Sequence, residues 1–356
     1  MYKRQLREVV HAICEGTGAG ALALVLLGYA FAEERVFKFS AGRTEVRMEE
    51  GKWVKVYEDG FRATDGTLTL SAQRGIYREA AREIVLEGDV VLRDTSGLLE
   101  AEEVVYDLKD DVARAFEVRA SYRGWEMRAG RAEYFRKKGC VAADGGVVLK
   151  DTAGKAEVEA LRGWYEFEGR GYVEGSARLV RKVGEDEVSI YAARIFLDQD
   201  KVVAEDSVRI RRGNIDAKCG RVEYWESGMV LLGKPQVCIE DSAAHTTLKG
   251  DTIEVALEDL VPQHLRLSGN AEVTSVGREG ESILVGSKIW VFLHGDEPER
   301  VLVEWNAVSV YRHRGKEPSL NTVTGDRMEV SLEGGKAVRV KVDGGVEGTY
   351  RWRGKP

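Results

Sequence analysis

From about residue 40 onward, apolar and polar positions alternate with period two, and short charged or glycine-bearing breaks interrupt the alternation at regular intervals. Period two puts successive side chains on opposite faces of an extended chain, so the pattern predicts strands almost throughout. Residues 70–97 (LSAQRGIYREAAREIVLEGDVVLRDTSG) hold the clearest copy. Its first half carries Ala72, Arg74 and Tyr77, its break runs from Arg78 to Glu83, and its second half carries Ile84, Leu86, Gly88, Val90 and Leu92. Aligning on the tyrosine gives about ten units, anchored at Val46, Tyr77, Tyr106, Tyr134, Tyr165, Leu197, Tyr224, Val255, Val291 and Val330. The anchors lie 27 to 32 residues apart up to Val255, then 36 and 39. The added residues fall in breaks near Pro262 and Pro298, where a repeat array tolerates insertion.

Parity divides each strand into two faces. One face of the first halves carries Gly75 and Tyr77, Val104 and Tyr106, Ala132 and Tyr134, then Tyr165, Leu197 and Tyr224, and is expected to be buried. The other carries Arg74, Glu103, Arg131, Arg162, Arg194 and Arg221 and is expected to meet water, with glutamates two residues on to compensate. In the second halves Val90 and Leu92 point inward, and the third copy reads either Cys140, Ala142 and Val148 or the neighbouring register with Val147 and Leu149. Mid-strand glycines recur at Gly88, Gly175, Gly233, Gly269 and Gly344, which predicts that the sheet folds over at that layer. The fold class is therefore all-β, an elongated, bent, trough-like sheet array of about ten two-strand repeats. At ~4.8 Å per layer, ten layers span on the order of 50 Å. Polar residues of inward parity, Gln73 and Glu102, are expected to mark the mouth.

The tyrosine ladder has two readings. As packed core it needs no function, because aromatic side chains suit pleated, half-buried faces. As a lining, its rings contact lipid chains while its hydroxyls face a wet mouth. The candidate apolar lining on that second reading is Tyr77, Val90, Leu92, Val104, Tyr106, Ala132, Tyr134, Tyr165, Leu197 and Tyr224.

Composition narrows the function classes. Charged residues make up 32% with both signs mixed and a net charge of −7, without the basic excess of a nucleic-acid binder. The histidines are scattered over unequal positions of the units, no nucleophile or phosphate-loop motif occurs, and the acids Asp107, Asp110 and Asp111 fall in a break, where solvated turn residues are expected. No enzyme activity, cofactor or metal site is expected. Residues 1–32 differ from the rest: Lys3, Arg4 and Arg7 precede an apolar run, Ala19–Ala32, that ends in Ala30-Phe31-Ala32. That is the make-up of an export signal, a signal peptide or an N-terminal membrane anchor, and the run is short of the ~20 residues a spanning helix needs, which favours cleavage. Beyond it stand Cys140, Cys219 and Cys238, with no metal-like spacing. Cys219 and Cys238 lie on two halves of one unit and are either plain strand residues or, in an oxidising compartment, a pair.

The unit resembles that of the OstA-like or LptA-type proteins of lipopolysaccharide transport, whose repeats join an Ala-Asp-Arg-Ala-x-Tyr phrase to a Gly-x-Val-x-Leu phrase. The matching stretches are Ala72-Gln-Arg-Gly-Ile-Tyr77 with Gly88-Asp-Val-Val-Leu92, and Ala129-Gly-Arg-Ala-Glu-Tyr134 with Gly145-Gly-Val-Val-Leu149. The resemblance runs from about residue 36 to 351 and is strongest between 70 and 180. It implies a β-jellyroll over residues 33–356, as one array or as two consecutive troughs at about 33–240 and 241–356. It also implies a periplasmic protein that shields the acyl chains of lipopolysaccharide or a similar glycolipid between inner and outer membrane. The partners it implies are other jellyroll transport proteins joined through edge strands, an inner-membrane transporter and an outer-membrane barrel. The edge argument stands on its own, since an open stack ends in unpaired backbone groups. Two features depart from the family: no outer-membrane barrel follows the repeats, and the array is longer than one trough domain. The alternative is a secreted structural or adhesive β-solenoid with a filled core and no lipid cargo.

Overall fold

The computed structural model describes residues 36–352 apart from 96, 123, 168, 184–185, 199–200, 241–243, 259–260, 296, 315–317 and 334–335. The expected leader, residues 1–32, lies outside the described residues. The described chain forms 26 strands, all paired antiparallel, and one short turn of 3-10 helix at Arg136–Lys138. The N-terminal strands are short: β1 (Lys38–Ser40), β2 (Arg43–Glu49), β3 (Lys52–Glu58), β4 (Phe61–Thr64), β5 (Thr69–Ala72) and β6 (Arg74–Arg78). Ten long strands follow: β7 (Glu83–Arg93), β8 (Leu98–Asp107), β9 (Val112–Tyr122), β10 (Trp125–Phe135), β11 (Cys140–Asp151), β12 (Ala156–Glu166), β13 (Arg170–Val183), β14 (Asp186–Leu197), β15 (Lys201–Arg212) and β16 (Ile215–Trp225). Four short strands come next, β17 (Gly228–Leu232), β18 (Gln236–Glu240), β19 (Ala244–Lys249) and β20 (Thr252–Glu258). The chain closes with β21 (Val261–Gly277), β22 (Gly280–His294), β23 (Glu297–His313), β24 (Ser319–Glu333), β25 (Lys336–Asp343) and β26 (Glu347–Trp352).

Most long strands break register near the middle, and the two halves of each pair in two separate ladders; β9 keeps one register with both neighbours, and β22 and β24 show a second shift near Phe292 and Ser331. In β7, Glu83–Glu87 pairs with β6 and Val90–Val91 with the Ala101–Glu100 end of β8, while Ser71 of β5 meets Val91. The ladder holding the tyrosine anchors is the first wall and the ladder holding Leu92 and Leu149 is the second. Between them runs a lengthwise crease, where two left-handed residues on one strand oppose a single residue on its neighbour. Such bulges are found at Gly88-Asp89, Gly175-Ser176, Asp206-Ser207, Gly269-Asn270 and Trp305-Asn306. A bulge of this kind bends the strand and turns its side chains toward a new face. At Gly88 (φ 74°) glycine is required twice over, because a Cβ there would also meet the Gln73 amide at 2.7 Å. The recurring glycines thus do mark the fold line.

Two expectations change with the crease. Gln73 and Glu102 sit on it: Gln73 Nε2 donates to Asp89 Oδ2 at 2.7 Å, and the register of β8 skips at Glu102. The mouth therefore lies at the opposite strand ends. Length changes as well, because each unit sends two strands through both walls. Ten units advance about twenty strand spacings, on the order of 95 Å rather than 50 Å.

The inward rows make the core. Phe61, Leu70, Ile84, Leu86, Ile195, Leu231, Ile253, Leu267, Ile289 and Met328 are all fully buried. They fall into two apolar clusters, one from Tyr57 to Val147 and one from Val158 to Val330, and Leu149 packs against both. The outer face of the first wall carries the charged row, compensated mainly across strands: Arg74 between Glu58 and Glu87, Glu174 between Arg162 and Arg194, Arg221 beside Glu205 and Glu223. Two sequence assignments, Val46 and Asp111, are corrected, and one open alternative is resolved. Val46 is exposed, since among the described residues β2 pairs only with β3 and has no wall opposite it. The third copy takes the neighbouring register, with Val141, Ala143, Val147 and Leu149 inward, because Val141 pairs with both Tyr134 and Tyr165. Asp111 is 3% exposed rather than solvated.

Cys219 and Cys238 are free thiols on opposite faces of the second wall. Cys219 shares the inward parity of Ala217, whose partner is Val237; Cys238 stands one residue on and points out. Burial pushes the Cys219 thiol up to about 11. At pH 8 it stays protonated and inert. Alkylation of the native protein followed by peptide mapping should modify the half-buried Cys238 first and reach Cys140 and Cys219 only after unfolding; equal labelling of all three would contradict this packing.

Candidate functional site

The mouth runs along the strand ends opposite the crease, and its N-terminal end is shut by side chains. Phe39 stacks on Tyr57 at 5.7 Å and contacts Tyr77 at 5.7 Å, while Phe37 meets Tyr106 at 6.2 Å. These aromatic contacts plug the space above Phe61 and close it to solvent.

Next to the plug, turns from both walls meet in a charged clasp. Arg136, just after β10 in the first wall, donates through Nη1 to Asp65 Oδ2 at 2.9 Å and through Nη2 to Thr67 Oγ1 at 2.5 Å, both in the β4–β5 turn of the second wall. Its Nε lies 3.7 Å from Asp94 Oδ2, in the β7–β8 turn, and its Nη1 lies 3.6 Å from Asp111 Oδ1. Two tyrosines complete it: Tyr106 donates to Asp111, and Tyr134 donates to Asp94 at 2.5 Å. The Arg136 side chain is 13% exposed and the three carboxylates 3–7%. This buried network ties one wall to the other.

Immediately beyond the clasp the walls part around an apolar pocket of about 640 Å³, open solvent at its mouth included. Leu92, Leu99, Met127 and Leu149 of the second wall face Tyr134 and Val141 of the first, and Trp125 and Phe167 stand at the rim. Phe167 is held over the opening by Tyr122, whose hydroxyl donates to its carbonyl at 3.0 Å and whose ring lies 4.7 Å away. The polar groups among the lining are few: Asp94, Ser121 and the hydroxyls of Tyr122 and Tyr134. An apolar pocket with a few polar groups suits an amphipathic ligand. Further along, Arg181 of the second wall donates to the Tyr224 hydroxyl of the first at 2.8 Å, a second tie across the mouth. Burial raises the Tyr224 phenol, against the opposing pull of Arg181. On the outer face, the hydrogen bond from Lys201 holds Glu223 below the usual carboxylate range.

The ten lining candidates separate into three groups. Tyr134 and Leu92 line the pocket. Val90, Val104, Tyr106 and Ala132 are closed in the core at 0–2% exposure. Tyr77 lies under Phe39, and Tyr165, Leu197 and Tyr224 form the half-buried inner row nearer the mouth. The clasp residues Asp65, Asp94 and Arg136 lie in turns that the alternation does not address. Asp65 and Asp94 stand 29 residues apart, one unit's length, and that recurrence was the available signal.

Among the described residues, no group of His, Cys, Asp and Glu fits a metal ion, and no helix is long and apolar enough to cross a membrane. No family model and no curated protein matches the chain. Among solved structures it is similar to LptH, described as the LptA homologous periplasmic component of the conserved lipopolysaccharide transport device from Pseudomonas aeruginosa. That likeness covers 28% of this chain and 74% of LptH, at 18% identity and a TM-score of 0.27.

Proposed function

We propose that the chain is a non-enzymatic, exported carrier that shelters the acyl chains of a glycolipid of the lipopolysaccharide class between its two walls. The observation that carries the reading is the open apolar pocket framed by Met127, Leu149 and Phe167. Burial at ~0.8 kcal/mol per CH₂ retains a lipid without bonds to any particular atom of it, so the cargo is free to slide. Hand-over to similar troughs fits the free edges. Among the described residues β2 pairs only with β3, and β25 and β26 only with β24, and Met48, Trp53, Val338 and Val340 are exposed beside them. Unpaired strand edges of this kind accept a further strand. An inner-membrane transporter and an outer-membrane barrel are the partners this reading calls for at the two ends.

A filled, purely structural solenoid is the second reading, favoured by the closed packing around Val104 and Tyr106. Photo-crosslinking separates the two. A benzophenone amino acid at Met127 or Phe167 should give lipid adducts in an envelope preparation, and one at the outward Arg131 should not. Adducts from Arg131 alone, or from none of the three, would favour the structural reading.

A further inference from the structure

Toward the mouth, two residues beyond the buried inner row of the second wall, the C-terminal half carries another row on the same face. It pairs strand to strand: Thr246 with Ser275, Ser275 with Ser282, Ser282 with Tyr311, Tyr311 with Asn321, and Asn321 with Tyr350. Side chains two apart share a face. The residues two positions deeper, Leu248, Val273, Leu284 and Val323, pack in the core, so this row looks into the trough. His313, Ser319 and Trp352 lie one step further out, on the same side.

None of these residues is Asp, Glu, Lys or Arg, in a chain that is 32% charged. The same row carries Arg181 and Arg212 before it reaches Thr246. The charges flanking the row have the opposite parity and lie on the outer face: Arg312 and Arg314 pair there with Glu281, and Arg351 stands between Tyr350 and Trp352. What remains on the inner rim is a strip of hydroxyls and one amide, each both donor and acceptor, beside two flat aromatic platforms. Tyr311 and His313 stack with centroids 6.4 Å apart, Tyr350 and Trp352 at 5.8 Å. Tyr311, Tyr350 and Trp352 are 39%, 58% and 69% exposed. Exposed ring faces attract the polarised C–H face of a sugar ring, and hydroxyls and amides match its O–H groups. A strongly anionic head would demand cations, which this strip lacks.

We infer that the row from Thr246 to Tyr350 is a subsite for the neutral, hydroxyl-rich sugar part of the cargo's head group. The inference rests on the carrier reading, with the acyl chain lying against the inner row and the head group against the rim. Dodecyl maltoside and dodecylphosphocholine share one chain and differ in head group, and each is titrated below its micelle concentration into the full chain. Dodecyl maltoside should bind at least tenfold more tightly, and the double variant Tyr311→Ala/Trp352→Ala should bring the two together without weakening dodecylphosphocholine. Ser282→Ala with Asn321→Ala, milder changes, should remove part of the preference. Equal affinities in the unaltered chain would overturn the subsite and leave the carrier reading standing; no binding of either would overturn both. A Trp352→Ala variant that alters only self-association, measured by sedimentation, would make the strip part of the β26 edge contact and also overturn the subsite.

Discussion

Arg136→Met is expected to unfasten the N-terminal end of the trough. The guanidinium sits among Asp65, Asp94 and Asp111, and the substitution fills its volume with an apolar chain while leaving three nearly buried carboxylates without it. Removing one partner of a buried charge network costs about 3–5 kcal/mol, because the remaining charges stay desolvated. Stability in a repeat array is close to a sum over neighbouring units, so the loss should stay local. Hydrogen exchange should therefore rise by a few hundred-fold or more, at ~1.4 kcal/mol per factor of ten, in the turns at 65–68, 94–98 and 107–112. The strands after β16 should exchange as before. Arg136→Lys should fall between the two, since a compact ammonium cannot reproduce the fork that reaches Asp65 and Thr67 together. Unchanged exchange in the three turns of the Met variant would mean that the clasp contributes nothing to closing the walls.

The clasp also shows where reading the sequence stops. Period-two alternation follows from the pleat, so it located nearly every strand and the inward face of each. It also placed Arg74, Arg162 and Arg221 correctly on the outside. The left-handed bulges were legible where they use glycine, as at Gly88 and Gly175, and hidden where Asp206-Ser207 or Trp305-Asn306 make the same bend. Depth was not legible. Tyr106 and Tyr134 hold equivalent positions in successive units, yet one is sealed in at 1% exposure and the other borders the pocket. The difference comes from segments far along the chain: Phe37 meets Tyr106 at the plugged end, whereas Tyr134 and its edge-on neighbour Phe167 both line the pocket. Parity gives direction within a strand; it carries no information about what the opposite wall or a distant turn places against it. Asp111 was misread for the same reason, since a carboxylate in a break is solvated only if nothing folds over it.

Leu149→Asp is expected to abolish acyl-chain binding while leaving the walls intact. Among the described residues Leu149 is the one side chain shared by the two apolar clusters, and it is also part of the pocket lining, where it is partly exposed. Without ligand, an aspartate there can keep water at the pocket mouth, so the melting temperature should move by only a few degrees. With an acyl chain in place that water is displaced and the carboxylate is left against hydrocarbon, which costs several kcal/mol. Displacement of a fluorescent fatty acid should thus show a loss of more than a hundredfold. Two companions fix the meaning of the result. Lys150→Gln, on the outer face beside Glu157, should bind as the unaltered chain does. Tyr106→Phe strips the buried Asp111 of a donor and should lose about 1–3 kcal/mol of local stability without loss of ligand. If Leu149→Asp binds normally, the cavity between Met127 and Phe167 is not where the lipid lies. If Tyr106→Phe loses binding as well, cargo reaches deeper toward the crease than the closed packing around Val104 allows, and the two walls must separate to admit it.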